Sequence, residues 1–382
     1  MDRTSDTHPR YLRGIDWVGM LAMLGLMAIG VAFVWSTTHH NVDYRGSSSK
    51  QAIYLLASLV LFAILLLINY RTIQQYAFLT FLGGLGLLLL TYTPLGVTLN
   101  NSSRWIGLGP FRIQPSEFMK IAFVIGLARY LMYRKNYRRL GGLIPPFVIT
   151  FIPLILVLRQ PDLGTSLVFL PVLFAMLYAA GAKTKHLVTI IVLGVISIPL
   201  VLWPFVMSDH QKERVLGHWD PERYMESKTV QPLVAEEAIR RGGVWGSGLG
   251  EGLVNKREKL YASESDFIYA VVAEEWGFMG GVAVIGLFTL LMVTAVRVAL
   301  RTREPFGRLV VIGLGALIAF QAVTNIGIAL RILPTTGLTL PFVSKGGSSL
   351  MAMTMAVAIV LNVGMHREPS FARDDFDFRE EE

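Results

Sequence analysis

The chain has 382 residues, of which 53% are hydrophobic and 16% charged, well below the roughly 25% charged of a soluble domain. With a mean hydropathy of +0.51 and long charge-free runs, it reads as a polytopic membrane protein, not a soluble enzyme with one core. The absence of cysteine excludes disulfide and thiolate chemistry, and the net charge of +8 sits beside apolar runs, where membrane topology explains it without nucleic acid.

Residues 1–14 read as a cytoplasmic N-terminal segment. The first apolar run is too long for a signal peptide and has no small-residue cleavage site after it, so it is expected to be retained as a span. Ten spans are expected in chain order: 15–36, 52–69, 76–92, 116–132, 144–158, 164–180, 187–207, 267–298, 309–330 and 346–365. This gives an all-α membrane domain over 15–366, followed by a charged cytoplasmic tail at 367–382. The basic loops around Arg71, "YRKNYRRL" (133–140), "GAKTKH" (181–186) and "RTREPFGR" (301–308) outweigh the alternate set. Excess Lys and Arg mark the cytoplasmic side, so both termini are expected there. The loop of nearly sixty residues at 208–266, between the seventh and eighth spans, is then extracytoplasmic.

Polar residues consequently gather on the outer face. In "RWIGLGPFRIQPSEFMK" (104–120), Ser116 is a plausible cap and Glu117 and Lys120 share a helical face three residues apart. They form either a self-neutralising pair or a charged cavity wall. In "RQPDLGTSL" (159–167), Asp162 is either a helix cap or a carboxylate of the same cavity. In "SDFIYAVVAEEWGFMGG" (265–281), Asp266 is expected at the membrane entry of span eight. A neighbouring lysine there would hold it ionised. Glu274 would lie about 12 Å deeper in a continuous helix. It is either part of a buried ion pair or a functional group. Near the last span, Gly346 and Gly347 permit unusual backbone angles, and Ser348 and Ser349 either cap that span or bind a polar headgroup. The glycine-rich "RRGGVWGSGLGEG" (240–252) fits neither a dinucleotide fingerprint nor a phosphate loop, and the scattered histidines give no zinc pattern.

Taken in order, "RWIGLGPFRIQPSEFMK", "QPDLGTS", "RRGGVWGSGLG", "SDFIYAVVAEEWGFMGG" and "ILPTTGLTLPFVSKGGSS" resemble the SEDS family, which includes FtsW, RodA and SpoVE. The resemblance runs from about Trp17 to Gly364, and its wording is slightly closer to FtsW. It implies a peptidoglycan glycosyltransferase of the bacterial plasma membrane that polymerises lipid II. The implied partners are membrane lipids, a class B penicillin-binding protein and the division or elongation machinery. By this resemblance Asp266 corresponds to the family's essential aspartate, Glu117, Lys120 and Asp162 to polar residues of its outer cavity, and Arg104 and Trp105 to the loop before it. An attacking sugar hydroxyl needs a base, the role given to Asp266. The departing pyrophosphate needs positive charge, for which Lys120, Arg214, Arg240 and Lys256 are candidates. No cofactor is firmly implied, although a divalent cation, Mg or Mn, could serve the same end.

Several positions depart from the family pattern. Glu264 replaces histidine, Lys345 stands where tyrosine is common, and Arg331 stands where glycine is common. The two added cations are expected to compensate Glu264 or to meet the pyrophosphate. Two competing readings are a lipid II flippase and a catalytically altered scaffold that recruits the transpeptidase.

Overall fold

The computed structural model describes residues 14–39, 47–99, 102–108, 111–133, 138–197, 199–200, 203–204, 207, 209–220, 231–253 and 263–366. The two terminal segments, Lys256 and residues 261–262 lie largely or wholly outside these residues.

The ten expected spans each meet a helix. They are α1 (Trp17–His39), α2 (Ser47–Leu67), α4 (Ala77–Leu90), α5 (Pro115–Leu131), α6 (Ile144–Leu158), α7 (Leu163–Ala179), α8 (Thr184–Ser197), α12 (Gly277–Arg301), α13 (Pro305–Ala329) and α14 (Gly347–Met365). The helix α3 (Tyr70–Gln75) links α2 to α4. Six of the described helices are long and apolar enough to cross a bilayer, and α4, α7 and α8 are shorter apolar helices. The helix α5 carries Glu117, Lys120 and Arg129, which make it less apolar than its neighbours, yet most of its residues are buried. The centre of the bundle is α13 and α14, most of whose residues are buried. By contrast, α2 is 17% buried and presents apolar side chains outward, as a lipid-facing helix does.

Three additions were not legible in the apolar pattern. Between α4 and α5 the chain makes an antiparallel sheet, ordered β1 (Gly96–Leu99), β2 (Ser102–Leu108), β3 (Phe111–Ile113). The large loop contributes α9 (Asp209–Trp219) and α10 (Gln231–Gly242). Finally, expected span eight is two helices, α11 (Ile268–Glu275) and α12, broken at Trp276–Gly277. At 25 residues α12 is about 37 Å long, enough to cross the roughly 30 Å hydrocarbon core without α11.

The glycine-rich stretch causes that break. Gly246 has φ +79°, and a Cβ there would stand 2.1 Å from the Glu275 carbonyl oxygen. Gly277, at φ +67°, would meet the Gly246 nitrogen at 2.4 Å. With no side chains at the crossing, backbone bonds form from Ser247 N to Glu274 O (3.0 Å) and from Gly248 N to Glu275 O (2.9 Å). The glycines therefore dock one turn on another. Gly246→Ala is expected to cost at least about 1–2 kcal/mol from the left-handed backbone alone, with the steric overlap added. An unchanged thermal midpoint in detergent would show that the turn is not docked.

Candidate functional site

The segment between α13 and α14 (residues 330–346) is the hub of the polar end of the bundle. Asn325, fully buried in α13, donates through Nδ2 to the carbonyls of Asp266 (2.9 Å) and Leu338 (2.7 Å). Ser344 accepts from Leu340 N (2.8 Å) and donates to the Ser265 carbonyl. Lys345 N donates to the Glu264 carbonyl (2.7 Å). A side chain added at Gly337 would stand 3.7 Å from Asp266 Oδ2, so the loop closes directly on this carboxylate. Asn325 could have been suspected as a polar residue in a span. Its partners could not, because they are 59 and 13 residues away.

Other helix starts adjoin the same hub. Gly164, in the first turn of α7, packs against the Thr336 carbonyl, which a Cβ would approach to 2.4 Å. Gln114 N, the residue before α5, donates to Ser348 Oγ (2.9 Å), and Ser349 Oγ is 3.0 Å from Thr339 Oγ1. The two serines thus tie loops together and do not cap α14, whose N-cap Gly346 makes no side-chain cap bond. Gly346 has φ 171°, which is extended backbone, so neither it nor Gly347 uses a left-handed conformation. Gly347 is small because the Tyr54 ring lies against it, 2.4 Å from where a Cβ would be.

Asp162 takes the first of its expected roles, the cap, and also makes an ion pair. It accepts from Thr165 N (3.2 Å) as the cap of α7, and it faces Arg104 across 3.7 Å. Arg104 also donates through Nε to the Gln160 carbonyl (2.9 Å) and to the Pro161 carbonyl. Trp105 is held beside it on β2, opposite Val97 on β1. Glu117 and Lys120 form a 2.8 Å pair with side chains 6% and 1% exposed. Ser116 is not the cap of α5. Gln114 occupies that position, and Ser116 Oγ has no hydrogen-bond partner among the described residues.

Asp266 keeps partial solvent access. Burial by the surrounding protein pushes its carboxyl above the usual carboxylate range. A hydrogen bond with Ser265 and the nearby Arg214 pull it part of the way back, while Glu264 and Asp162 push it up. The expectation of a carboxylate held low by lysine is thus corrected. Desolvation exceeds the attraction, and the cation is an arginine of α9.

Glu274 sits near the end of α11, within one helix that begins just after Asp266, and there it meets the docked glycine-rich turn: its carbonyl accepts from Ser247 N and its carboxylate lies against Gly252. Its neighbour Glu275 accepts from Ser36 Oγ (2.6 and 2.8 Å) and Gly250 N (3.0 Å). Arg240 lies on an exposed face of α10, 3.8 Å from Glu237, and takes no part in the contacts around Asp266.

The three departures have distinct consequences. Lys345 Nζ lies 3.6 Å from Glu264 Oε1, so one added cation does answer the added anion. Arg331 instead pairs with Glu236 at 3.1 Å. It has φ +57°, a left-handed conformation that glycine takes without cost and a side chain takes at about 1–2 kcal/mol. Glu264→Lys and Lys345→Glu are each expected to lower the melting temperature, and the double reversal to restore most of it. The coupling should be about 0.2–1 kcal/mol for so partly exposed a pair. Additive losses would show that the ion pair contributes nothing.

Among the described residues no group of three His, Asp or Glu side chains converges to hold a metal ion. The charge available near Asp266 comes from Arg214, with Asp162 and Glu264 already facing Arg104 and Lys345.

Fold and site together define a multi-pass membrane protein with a carboxylate-centred polar site at one end of a helical bundle. The chain belongs to the FtsW, RodA and SpoVE family, described as cell cycle proteins, whose model matches residues 15–369. It is 34% identical over 358 residues to the probable peptidoglycan glycosyltransferase FtsW of Geobacter sulfurreducens, covering 91% of this chain and 94% of that one. Stage V sporulation protein E of Bacillus subtilis is 32% identical over 364 residues, covering 92% and 97%. One solved chain, from a peptidoglycan synthase complex described as coordinating polymerization and crosslinking, superposes with a TM-score of 0.80 at 29% identity, covering 93% and 99%. RodA of Thermus thermophilus superposes with a TM-score of 0.70 at 28% identity, covering 93% and 98%.

Proposed function

We infer that this chain is a peptidoglycan glycosyltransferase that polymerises lipid II at the outer face of the plasma membrane, with Asp266 as the base. Both termini then lie in the cytoplasm, as the basic loops require. The observation that carries the reading is the placement of Asp266. It is clamped through its backbone by Asn325, closed upon by Gly337, and raised in proton affinity by burial.

The acceptor sugar hydroxyl forms a bond to the anomeric carbon of the donor. The bond from that carbon to the phosphate oxygen breaks, and its electron pair leaves with the lipid pyrophosphate. The hydroxyl proton passes to the Asp266 carboxylate, whose raised pKa brings it nearer to neutral pH and makes it a stronger base. Arg214 counters the negative charge that accumulates. Holding Asp266 by its main chain leaves both carboxylate oxygens for the substrate and for Ser265.

The likeness to a chain of a synthase complex described as coordinating polymerization and crosslinking supports a transpeptidase partner, a class B penicillin-binding protein. The test is polymerisation of purified lipid II by the full chain, alone and with that partner, comparing wild type with Asp266→Asn. Glycan strands from wild type and none from the variant support the reading. Equal strands from both would remove Asp266 from the chemistry. Lipid II translocation without strands would favour transport.

A further inference from the structure

A second polar feature adjoins the surroundings of Asp266 and shares Arg214 with them. Arg214, Gly217 and His218 of α9, the start of α10, and Arg331 and Thr335 after α13 line one cleft. Two segments far apart in sequence, α9 and the stretch after α13, thus bring two arginines, a histidine and a threonine to one cleft, and Pro232 and Leu233 at the start of α10 add an apolar side. Arg214 makes no hydrogen bond or ion pair among the described residues, yet it is close enough to Asp266 to lower its proton affinity. Arg331 lies near His218 and, beyond the cleft's apolar cover, is the second cause holding the imidazole below its ordinary pKa. Among the described residues only one Arg331 nitrogen is paired, to Glu236 Oε2 at 3.1 Å, and a guanidinium has five N–H donors. The backbone at 331 is left-handed, so the arginine occupies a position that its own conformation disfavours.

We propose that this cleft is the binding site for the pyrophosphate of the lipid-linked donor, with Arg214, His218 and Arg331 as its ligands. The chemistry matches a tetrahedral oxyanion, for which paired guanidinium groups provide forked donors and His218 and Thr335 provide single ones. The assignment rests on the glycosyltransferase reading above. It identifies where the leaving group would be held relative to the base, with Arg214 shared between the two.

The test is a titration of inorganic pyrophosphate onto the full chain in phosphatidylcholine nanodiscs, read by calorimetry. Arg331→Gly is the informative variant, because glycine suits the left-handed backbone and the fold should survive. It is expected to weaken binding about tenfold or more. Glu236→Gln releases the competing carboxylate and is expected to tighten binding, an effect that a purely structural Arg331–Glu236 pair would not give. No pyrophosphate binding by wild type, or equal binding by Arg331→Gly, would overturn the proposal. Two competitors separate the sources of the anion. Undecaprenyl pyrophosphate should displace the probe, and phosphatidylglycerol at the same mole fraction should not. Equal displacement by both would make the cleft a general anionic-lipid site and overturn the substrate assignment. Binding that persists in a chain unable to polymerise lipid II would count against the enzymatic reading, not against anion binding in the cleft.

Discussion

Asp266→Asn is expected to reduce lipid II polymerisation by about 10²–10⁴-fold, the range that a positioned general base contributes. The substitution preserves size and leaves the clamp intact, because Asn325 bonds to the main-chain oxygen at 266. The loss would therefore report chemistry and not folding, and an unaltered melting temperature checks that. Asp266→Glu keeps the charge but moves it by one methylene against the close approach of Gly337, so partial activity is expected. The pH dependence follows from the sign of the shift. Burial raises the Asp266 pKa, so activity should rise with pH through a value above the usual carboxylate range and be lost on acidification below it. Arg214 lowers that pKa, so Arg214→Ala should move the acid limb to higher pH. A limb unmoved by Arg214→Ala, or lying in the ordinary carboxylate range, would count against Asp266 as the titrating base.

Lys120→Met should have the largest effect on stability. Lys120 and Glu117 are paired at 2.8 Å inside α5, with side chains 1% and 6% exposed. Removing the cation leaves a buried carboxylate whose other oxygen, Oε2, already has no hydrogen-bond partner among the described residues. Breaking a buried pair in this way costs about 3–5 kcal/mol, whereas replacing both partners is often nearly neutral. The double variant Glu117→Gln with Lys120→Met should therefore recover most of the stability lost by Lys120→Met alone. Activity then separates structure from function. A stable but inactive double variant places the pair in the cavity wall, and a stable and active one makes it a packing device. Glu117→Gln with Lys120→Met no more stable than Lys120→Met alone would show that the unpaired carboxylate is not the source of the cost.

Much of this molecule is determined by its sequence taken locally. Span length and apolar content are properties of a continuous segment in a solvent that leaves no backbone group unsatisfied, so the ten helices could be placed in advance. The same is true of pairs within one turn. Glu117 and Lys120 meet because they are three residues apart, and Asp162 caps α7 because it precedes it. The departures at Glu264 and Lys345 raised the question of compensation, and the hub between α13 and α14 answers it with an ion pair.

Only the tertiary structure decided what distant segments do to one another. The break between α11 and α12 is invisible in an apolar run because its cause is a glycine turn about thirty residues earlier. That turn also docks on the main chain of Glu274 and Glu275. The proton affinity of Asp266 depends on how much protein closes over it and on Arg214, fifty-two positions before it. The strain at Arg331 exists only because the chain turns there with a left-handed backbone. Hydropathy and helical spacing act over neighbours along the chain. Desolvation, ion pairing and backbone docking act over a few ångströms in space, and that proximity is created by folding.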